Sequence, residues 1–168
     1  MDILQLREKR DAFERSLIVR SGRTLLTLRG NYPGENKDHP LVTFVVETLR
    51  EEVRQRFHVE EEYHSQTKEG LFFYFLLLEE GEKAKRKAVA LEENHPLGRL
   101  ADVDVRDGEK IYSRKGLGLP ERTCYLCLEK AVLCVRSQKH PLKEVLDYFE
   151  NQVRAYRVLV GKKEESTE

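Results

Sequence analysis

His95-Pro96-Leu97-Gly98-Arg99-Leu100-Ala101-Asp102-Val103-Asp104-Val105 reads as a turn that runs into a strand. Pro96 and Gly98 punctuate the turn, and the alternation after them has the two-residue period of a half-buried strand. Side chains at i and i+2 of a strand share a face. Asp102 and Asp104 therefore project together, with Leu100 expected on their side and Ala101, Val103 and Val105 turned to the core. Two carboxylates this close repel unless a cation lies between them. A hard cation such as Mg²⁺ would relieve the repulsion and could then hold phosphate groups. The plainer reading is an edge strand with two solvated aspartates. His95 and Arg99 precede the pair, and Arg106, Lys110, Arg114 and Lys115 follow it, so cations able to contact phosphates bracket it. For His95 the alternative is a capping or core histidine.

Outward from this stretch, helices and strands alternate. Residues 4 to about 20 are expected to be helical, with a loose apolar face of Leu4, Leu6, Phe13, Leu17 and Ile18. Arg7 and Arg10 share one side of that helix and are either solvated or aimed at an anion. Residues 24–29 have strand composition and stop at Gly30-Asn31-Tyr32-Pro33-Gly34, in a loop that also carries Lys37. Leu41, Val45, Leu49, Val53 and Phe57 mark an amphipathic helix. Residues 59–67 and 71–78 read as an antiparallel hairpin, its second strand uniformly apolar and so covered on both faces. Residues 81–94 read as a helix and 110–113 as a short strand. Pro141 opens a last helix striped by Leu142, Val145, Leu146, Phe149, Val153 and Tyr156. The expected architecture is one α+β domain over residues 1–160, a mixed or antiparallel sheet flanked by helices, with a flexible charged tail at 161–168.

The 30 basic and 30 acidic side chains among 168 residues cancel, which argues against a non-specific nucleic-acid binder and leaves room for a local basic site. No apolar run has the length of a membrane span and the first residues do not form a secretion signal, so the expected compartment is the cytoplasm. Cys124, Cys127, Cys134 and His140 follow a C-x2-C-x6-C-x5-H spacing. Three thiolates and an imidazole would complete a closed, structural tetrahedral Zn²⁺ shell and fasten a loop-rich segment that lacks its own core. Three ordinary cysteines are the alternative.

The run His95 to Leu100 with Asp102-Val103-Asp104-Val105 resembles the central motif of the citrate lyase holo-acyl-carrier-protein synthases, the CitX family. The likeness continues through Ser113-Arg114, Leu117-Gly118-Leu119-Pro120, Arg122, Cys124, Cys127, Ala131, Cys134, Arg136-Ser137 and His140. Upstream it takes in Arg7, Arg10 and the Asn31-x-Pro33-Gly34-x-x-Lys37 core. Ala101 stands where the family leads us to expect an aromatic residue, and Gly116 where we expect an acid. The resemblance implies transfer of a prosthetic group from 2′-(5″-triphosphoribosyl)-3′-dephospho-CoA to a serine of the apo acyl carrier subunit of citrate lyase. A phosphodiester forms and diphosphate leaves, as at a nucleotidyltransferase-like active site. On that reading Asp102 and Asp104 hold Mg²⁺, or one of them is instead the general base for the serine, and Arg99, Lys37 and Arg114 neutralise phosphate charge, joined by Arg7 and Arg10. Asn31 and Gly98 line the substrate, and His95 orients phosphates or assists the hydroxyl. The competing readings are a zinc-stabilised module that only docks an acyl carrier protein, and the same transfer to another lyase or decarboxylase carrier.

Overall fold

The computed structural model describes residues 1–165, with side chains through 163. Five strands form one sheet: β1 (Thr24–Gly30), β2 (Val59–Thr67), β3 (Gly70–Leu77), β4 (Ala101–Asp107) and β5 (Lys110–Tyr112). Their order is β2-β3-β1-β4-β5 and every pairing is antiparallel, so the expected sheet takes the antiparallel form. Helices α2 (Pro40–Arg56), α3 (Gly81–Asn94) and α5 (Leu142–Glu165) cover one face, while α1 (Ile3–Ser21) covers part of the other. The short α4 (Ala131–Ser137) belongs to the cysteine-bearing segment.

The strand period assigns the two faces. Leu26, Leu28, Phe73, Phe75, Val103 and Val105 pack against Val45, Leu49 and Val53 of α2, Ala84, Ala88 and Leu91 of α3, and Phe149 and Val153 of α5. On the opposite face Leu25, Phe72, Tyr74 and Leu76 meet Leu17 and Ile18 of α1. β3 is buried along its whole length because both layers rest on it. Burying a side chain of the size of Leu or Phe stabilises a fold by about 1.5–3 kcal/mol, so these rows hold the domain together.

Three sequence expectations change. The apolar stripe of α1 is narrower than expected: Leu4 is exposed, Phe13 touches Tyr74 only edge-on at 5.1 Å, and Glu14 takes a buried place beside the sheet. Leu142 of the α5 stripe is also exposed, whereas Phe149 and Val153 carry the contact with the core. Finally, α5 continues past Gly161 to Glu165; residues 166–168 of the expected tail lie outside the described residues. Among the described residues, no helix is long and apolar enough to cross a membrane.

At the end of β3 a buried carboxylate joins the layers. Glu79, whose side chain is 2% exposed, accepts the His58 N–H at 2.9 Å and the Lys87 ammonium at 2.8 Å. Burial alone would raise its pKa, but Lys87 and the backbone N–H groups outweigh that and pull it down to about 2. A depressed carboxylate contributes stability that is full above its unfolded pKa and fades as pH falls through the folded value. Glu79→Gln is therefore expected to cost about 2–3 kcal/mol at pH 7. In urea melts the gap from wild type should narrow between about pH 4.5 and 2; a gap constant with pH would contradict this assignment.

Candidate functional site

The register of β4 sets the site. Ala101, Val103 and Val105 enter the core under α2, α3 and α5, and Asp102 and Asp104 point to the opposite face, where α1 lies. Leu100 does not share the face of the aspartates as the alternation suggested. It ends a single 3-10 turn (Gly98–Leu100) and is buried in the core, because the strand begins one residue later. On β1, Arg29 is the cross-strand partner of Asp102, and Thr27 that of Asp104. Phe72 and Tyr74 of β3 extend the two rows.

The two carboxylates have different surroundings. One oxygen of Asp102 accepts from the Arg122 guanidinium at 2.7 Å, and the other lies 3.2 Å from that of Arg29. Asp104 has no hydrogen bond or ion pair among the described residues and reaches solvent. Enough protein surrounds it that dehydration, and then the charge of Asp102, raise its pKa against the pull of Lys85, Arg29 and Arg122.

β5 pairs only with the last three residues of β4, so the backbone of Ala101 and Val103 faces outward unpaired by any strand. Charged side chains complete it. Lys85 donates to the Val103 carbonyl at 2.9 Å, the Val103 N–H reaches Glu92 at 3.4 Å, and Arg122 donates to the Ala101 carbonyl at 2.7 Å. Glu92 also pairs with Arg122 at 3.0 Å and Arg114 at 3.2 Å, while burial raises its pKa. Arg29, Lys85, Glu92 and Arg122 are the site residues that sequence reasoning missed. Lys85 and Glu92 carried a local signal, two charges seven apart on the side of α3 that faces the sheet, and Arg122 stood among the residues of the family resemblance with no role assigned to it.

The residues expected at the substrate separate into two groups. Lys37 is close enough to Arg29 for that charge, after burial, to lower its pKa, and its ammonium donates to the Tyr32 carbonyl. Arg10 lies over the Phe72 ring, one position along the row from Arg29, and pairs with Glu69 as Arg7 does. These groups lie on the face of the carboxylates. His95 does not: it is buried in the helical layer, its Nδ1 accepting the Leu97 N–H at 3.0 Å and its Nε2 3.7 Å from Glu52 of α2. Its ring packs 5.4 Å from that of Tyr156, and burial lowers its pKa. Arg99 is engaged by the carbonyls of Thr123 and Cys124, and Arg114 by Glu92 and Glu93. Asn31 contributes its main chain, the N–H to Leu100 at 2.8 Å and the carbonyl to the Tyr125 hydroxyl. Gly98 is buried below the end of α3, where a Cβ would come within 2.4 Å of the Leu91 and Glu92 carbonyl oxygens. Its glycine is explained by that close approach.

The cysteines and His140 meet in space. Their four ligand atoms lie within 4.8 Å of one another, and the Cys127 and Cys134 sulfurs are 3.5 Å apart. Tetrahedral Zn–S bonds of about 2.3 Å separate sulfurs by about 3.8 Å, so the cluster is nearly closed already. The local backbone is a knuckle: Cys124 accepts the Leu126 N–H at 3.4 Å, and an antiparallel bridge joins Thr123 to Lys130. Gln138, at φ +49°, turns the chain back after α4 so that His140 reaches the sulfurs. His140 Nε2 is buried without a hydrogen-bond partner, and burial plus the two neighbouring thiols push Cys134 up to about 12. Both features fit a tetrahedral cation such as Zn²⁺, which would draw the third thiol into its ionised form with release of its proton. Metal analysis should give about one zinc per chain, and Cys134→Ser should lose it and melt at lower temperature. A metal-free wild type with unchanged melting would remove zinc from this site.

Comparison with known proteins bears on the same residues. The family model described as apo-citrate lyase phosphoribosyl-dephospho-CoA transferase (CitX) matches residues 1–156. The chain is 30% identical over 155 residues to a protein of that name from Escherichia coli O7:K1, covering 89% of this chain and 85% of that protein. It is equally similar, at 30% over 155 residues, to Protein CitXG of Haemophilus influenzae, but spans only 33% of that protein's length. A probable apo-citrate lyase phosphoribosyl-dephospho-CoA transferase of Vibrio cholerae is 42% identical over 73 residues, covering 43% of this chain and 41% of that protein. With the match running from α1 through the carboxylate strand and the knuckle into α5, the chain belongs to the apo-citrate lyase phosphoribosyl-dephospho-CoA transferase (CitX) family.

Proposed function

We propose that this protein transfers the prosthetic group of citrate lyase from 2′-(5″-triphosphoribosyl)-3′-dephospho-CoA to a serine of the apo acyl carrier subunit. The serine oxygen attacks the phosphorus nearest the ribose, a phosphodiester forms with loss of the hydroxyl proton, and diphosphate leaves. The observation that carries the reading is the row Phe72, Arg29 and Asp102, closed by Arg122 and neighboured by Lys37 and the open carboxylate of Asp104. Phosphoryl transfer needs positioning and neutralisation of developing charge more than it needs covalent help, and this row supplies cations beside a carboxylate still free to act.

Mg²⁺ suits the oxygen donors. Asp104 is open to a cation, while the oxygens of Asp102 are engaged by guanidiniums. Asp104, with substrate phosphates, would hold the ion, and Asp102 would join it when an arginine turns to the substrate. When bound, the ion neutralises phosphate charge and stabilises the leaving diphosphate. We read Arg29, Arg122 and Lys37 as phosphate contacts, with Arg10 and Arg7 at the outer rim. His95, on the other side of the sheet, acts as a positioning residue for the turn before β4 rather than as a reacting group. The transfer reading is favoured over a purely docking module because docking gives no use to an unpaired carboxylate kept beside this row.

Asp104→Asn is expected to lower the transfer rate by roughly 10²–10⁴-fold, with folding and metal content at the knuckle unchanged. Arg29→Ala should act mainly by raising KM for the donor. Intact-mass measurement of the carrier reads both as the rate of prosthetic-group addition, with and without Mg²⁺. Full-rate transfer by Asp104→Asn would sink the assignment.

A further inference from the structure

The knuckle touches the carboxylate site at three points. The Arg122 guanidinium, two residues before Cys124, reaches Asp102 and the Ala101 carbonyl, both at 2.7 Å. The Tyr125 hydroxyl, inside the C-x2-C turn, donates to the Arg99 carbonyl at 2.8 Å and the Asn31 carbonyl at 3.3 Å. In return, Arg99 of the turn before β4 donates to the Thr123 and Cys124 carbonyls. These contacts join two segments that frame the site, the loop after β1 and the start of β4.

Beyond Tyr125, which stacks on Tyr148 of α5 at 4.9 Å, the knuckle has few apolar contacts to hold it in shape. Leu128 and Val135 are 96% and 77% exposed, so this segment buries few apolar side chains of its own. Its internal order rests on the Thr123–Lys130 bridge, the Cys124 N–H to the Glu129 carbonyl at 2.7 Å, the Ala131 N–H to the Arg122 carbonyl at 2.9 Å, and the Cys/His cluster. A segment of this kind draws much of its folding free energy from the metal it binds.

We propose that the Cys/His knuckle is the positioning element of the carboxylate site, and that it works through Arg122: metal at the cysteines holds Arg122 on Asp102, and without it the donor site is not assembled. Arg122 is thereby a positioning residue in addition to any phosphate contact it makes. The zinc would take no part in the reaction. The claim about donor binding rests on the function proposed above; the claim about the site's order does not.

The test is hydrogen–deuterium exchange of the full-length protein, zinc-loaded and chelator-stripped, with donor affinity measured on the same samples by calorimetry using triphosphoribosyl-dephospho-CoA. Stripping should raise exchange roughly tenfold in peptides covering residues 30–37 and 98–104. The β2–β3 hairpin, on the far side of the sheet, should stay protected. Arg122→Ala, still loaded with zinc, should reproduce the rise at 98–104 and weaken donor binding roughly tenfold. Stripping that variant should raise exchange at residues 102–104 no further, because the route through Arg122 is already cut. Tyr125→Phe, with every metal ligand kept, should raise exchange at 30–37 and at residues 99–100, and leave 102–104 protected.

Unchanged exchange at 98–104 on stripping, or a further rise at residues 102–104 when Arg122→Ala is stripped, would overturn the proposal. If stripping unprotects the hairpin as well, the protein has unfolded, and loaded Arg122→Ala and Tyr125→Phe decide the question alone. If loaded wild type does not bind the donor, the proposed function fails, while the exchange data still judge the positioning role.

Discussion

The sheet end depends on how the charge of Asp102 is neutralised. Two aspartates on one strand face would repel, and here the repulsion is met at one of them by two guanidiniums. Arg29 is delivered by strand register and Arg122 by a segment twenty residues downstream in the chain. Asp102 is thereby tied to β1 and to the knuckle together, and Asp104 is left open. A buried or half-buried carboxylate that lost one such partner would destabilise its surroundings more than a surface ion pair would. The short β5 makes the arrangement possible. Had it paired with all of β4, the Ala101 carbonyl and the Val103 backbone would already be occupied, and Arg122, Lys85 and Glu92 would have no edge to complete.

The stretch from His95 to Val105 does two kinds of work in alternate residues. His95 accepts the Leu97 N–H, Gly98 lets the turn pass below the carbonyls that end α3, and Leu97 and Leu100 fill the core. These residues set where β4 begins, and therefore which way Asp102 and Asp104 face. A shift of one residue would send both carboxylates into the apolar layer and Val103 to the surface. The turn's chemistry is thus about register: His95 and Gly98 set which way the two carboxylates face without facing the same way themselves.

That division explains what the sequence made legible. Periodicity located the strands and the long helices closely, because each buries a face of regular spacing, and the shared face of Asp102 and Asp104 followed from the same period. It misplaced Leu100 because a 3-10 turn interrupts the alternation one residue before β4. The Cys/His grouping was readable because its spacing is local, apart from the turn at Gln138 that closes it. The partners of Asp102 were not readable. Arg29 is brought there by the pairing of β1 with β4, and Arg122 by the docking of the knuckle, and neither contact has a local pattern. Arg99 and Arg114 looked like phosphate contacts through proximity in the chain, yet backbone carbonyls and the acids of α3 hold them. In a chain with equal numbers of acidic and basic residues, a cation's position says little until its neutralising partner is known.

Charge balance then connects the resting site to the chemistry proposed for it. Arg29 and Arg122 face Asp102 and Asp104, two positive groups against two negative ones, with Lys37 beside them held partly dehydrated. Such a set is nearly neutral and can persist without substrate. A triphosphate entering it brings several negative charges at once, and the guanidiniums can turn to the phosphates only by leaving Asp102 less compensated. The uncompensated carboxylates then favour a cation, and a divalent one shared with the phosphates restores the balance with the fewest groups displaced. The paired resting state and a metal requirement in the loaded state are, on this view, consequences of the same electrostatics. The strength of the Arg122–Asp102 contact sets how readily one passes into the other.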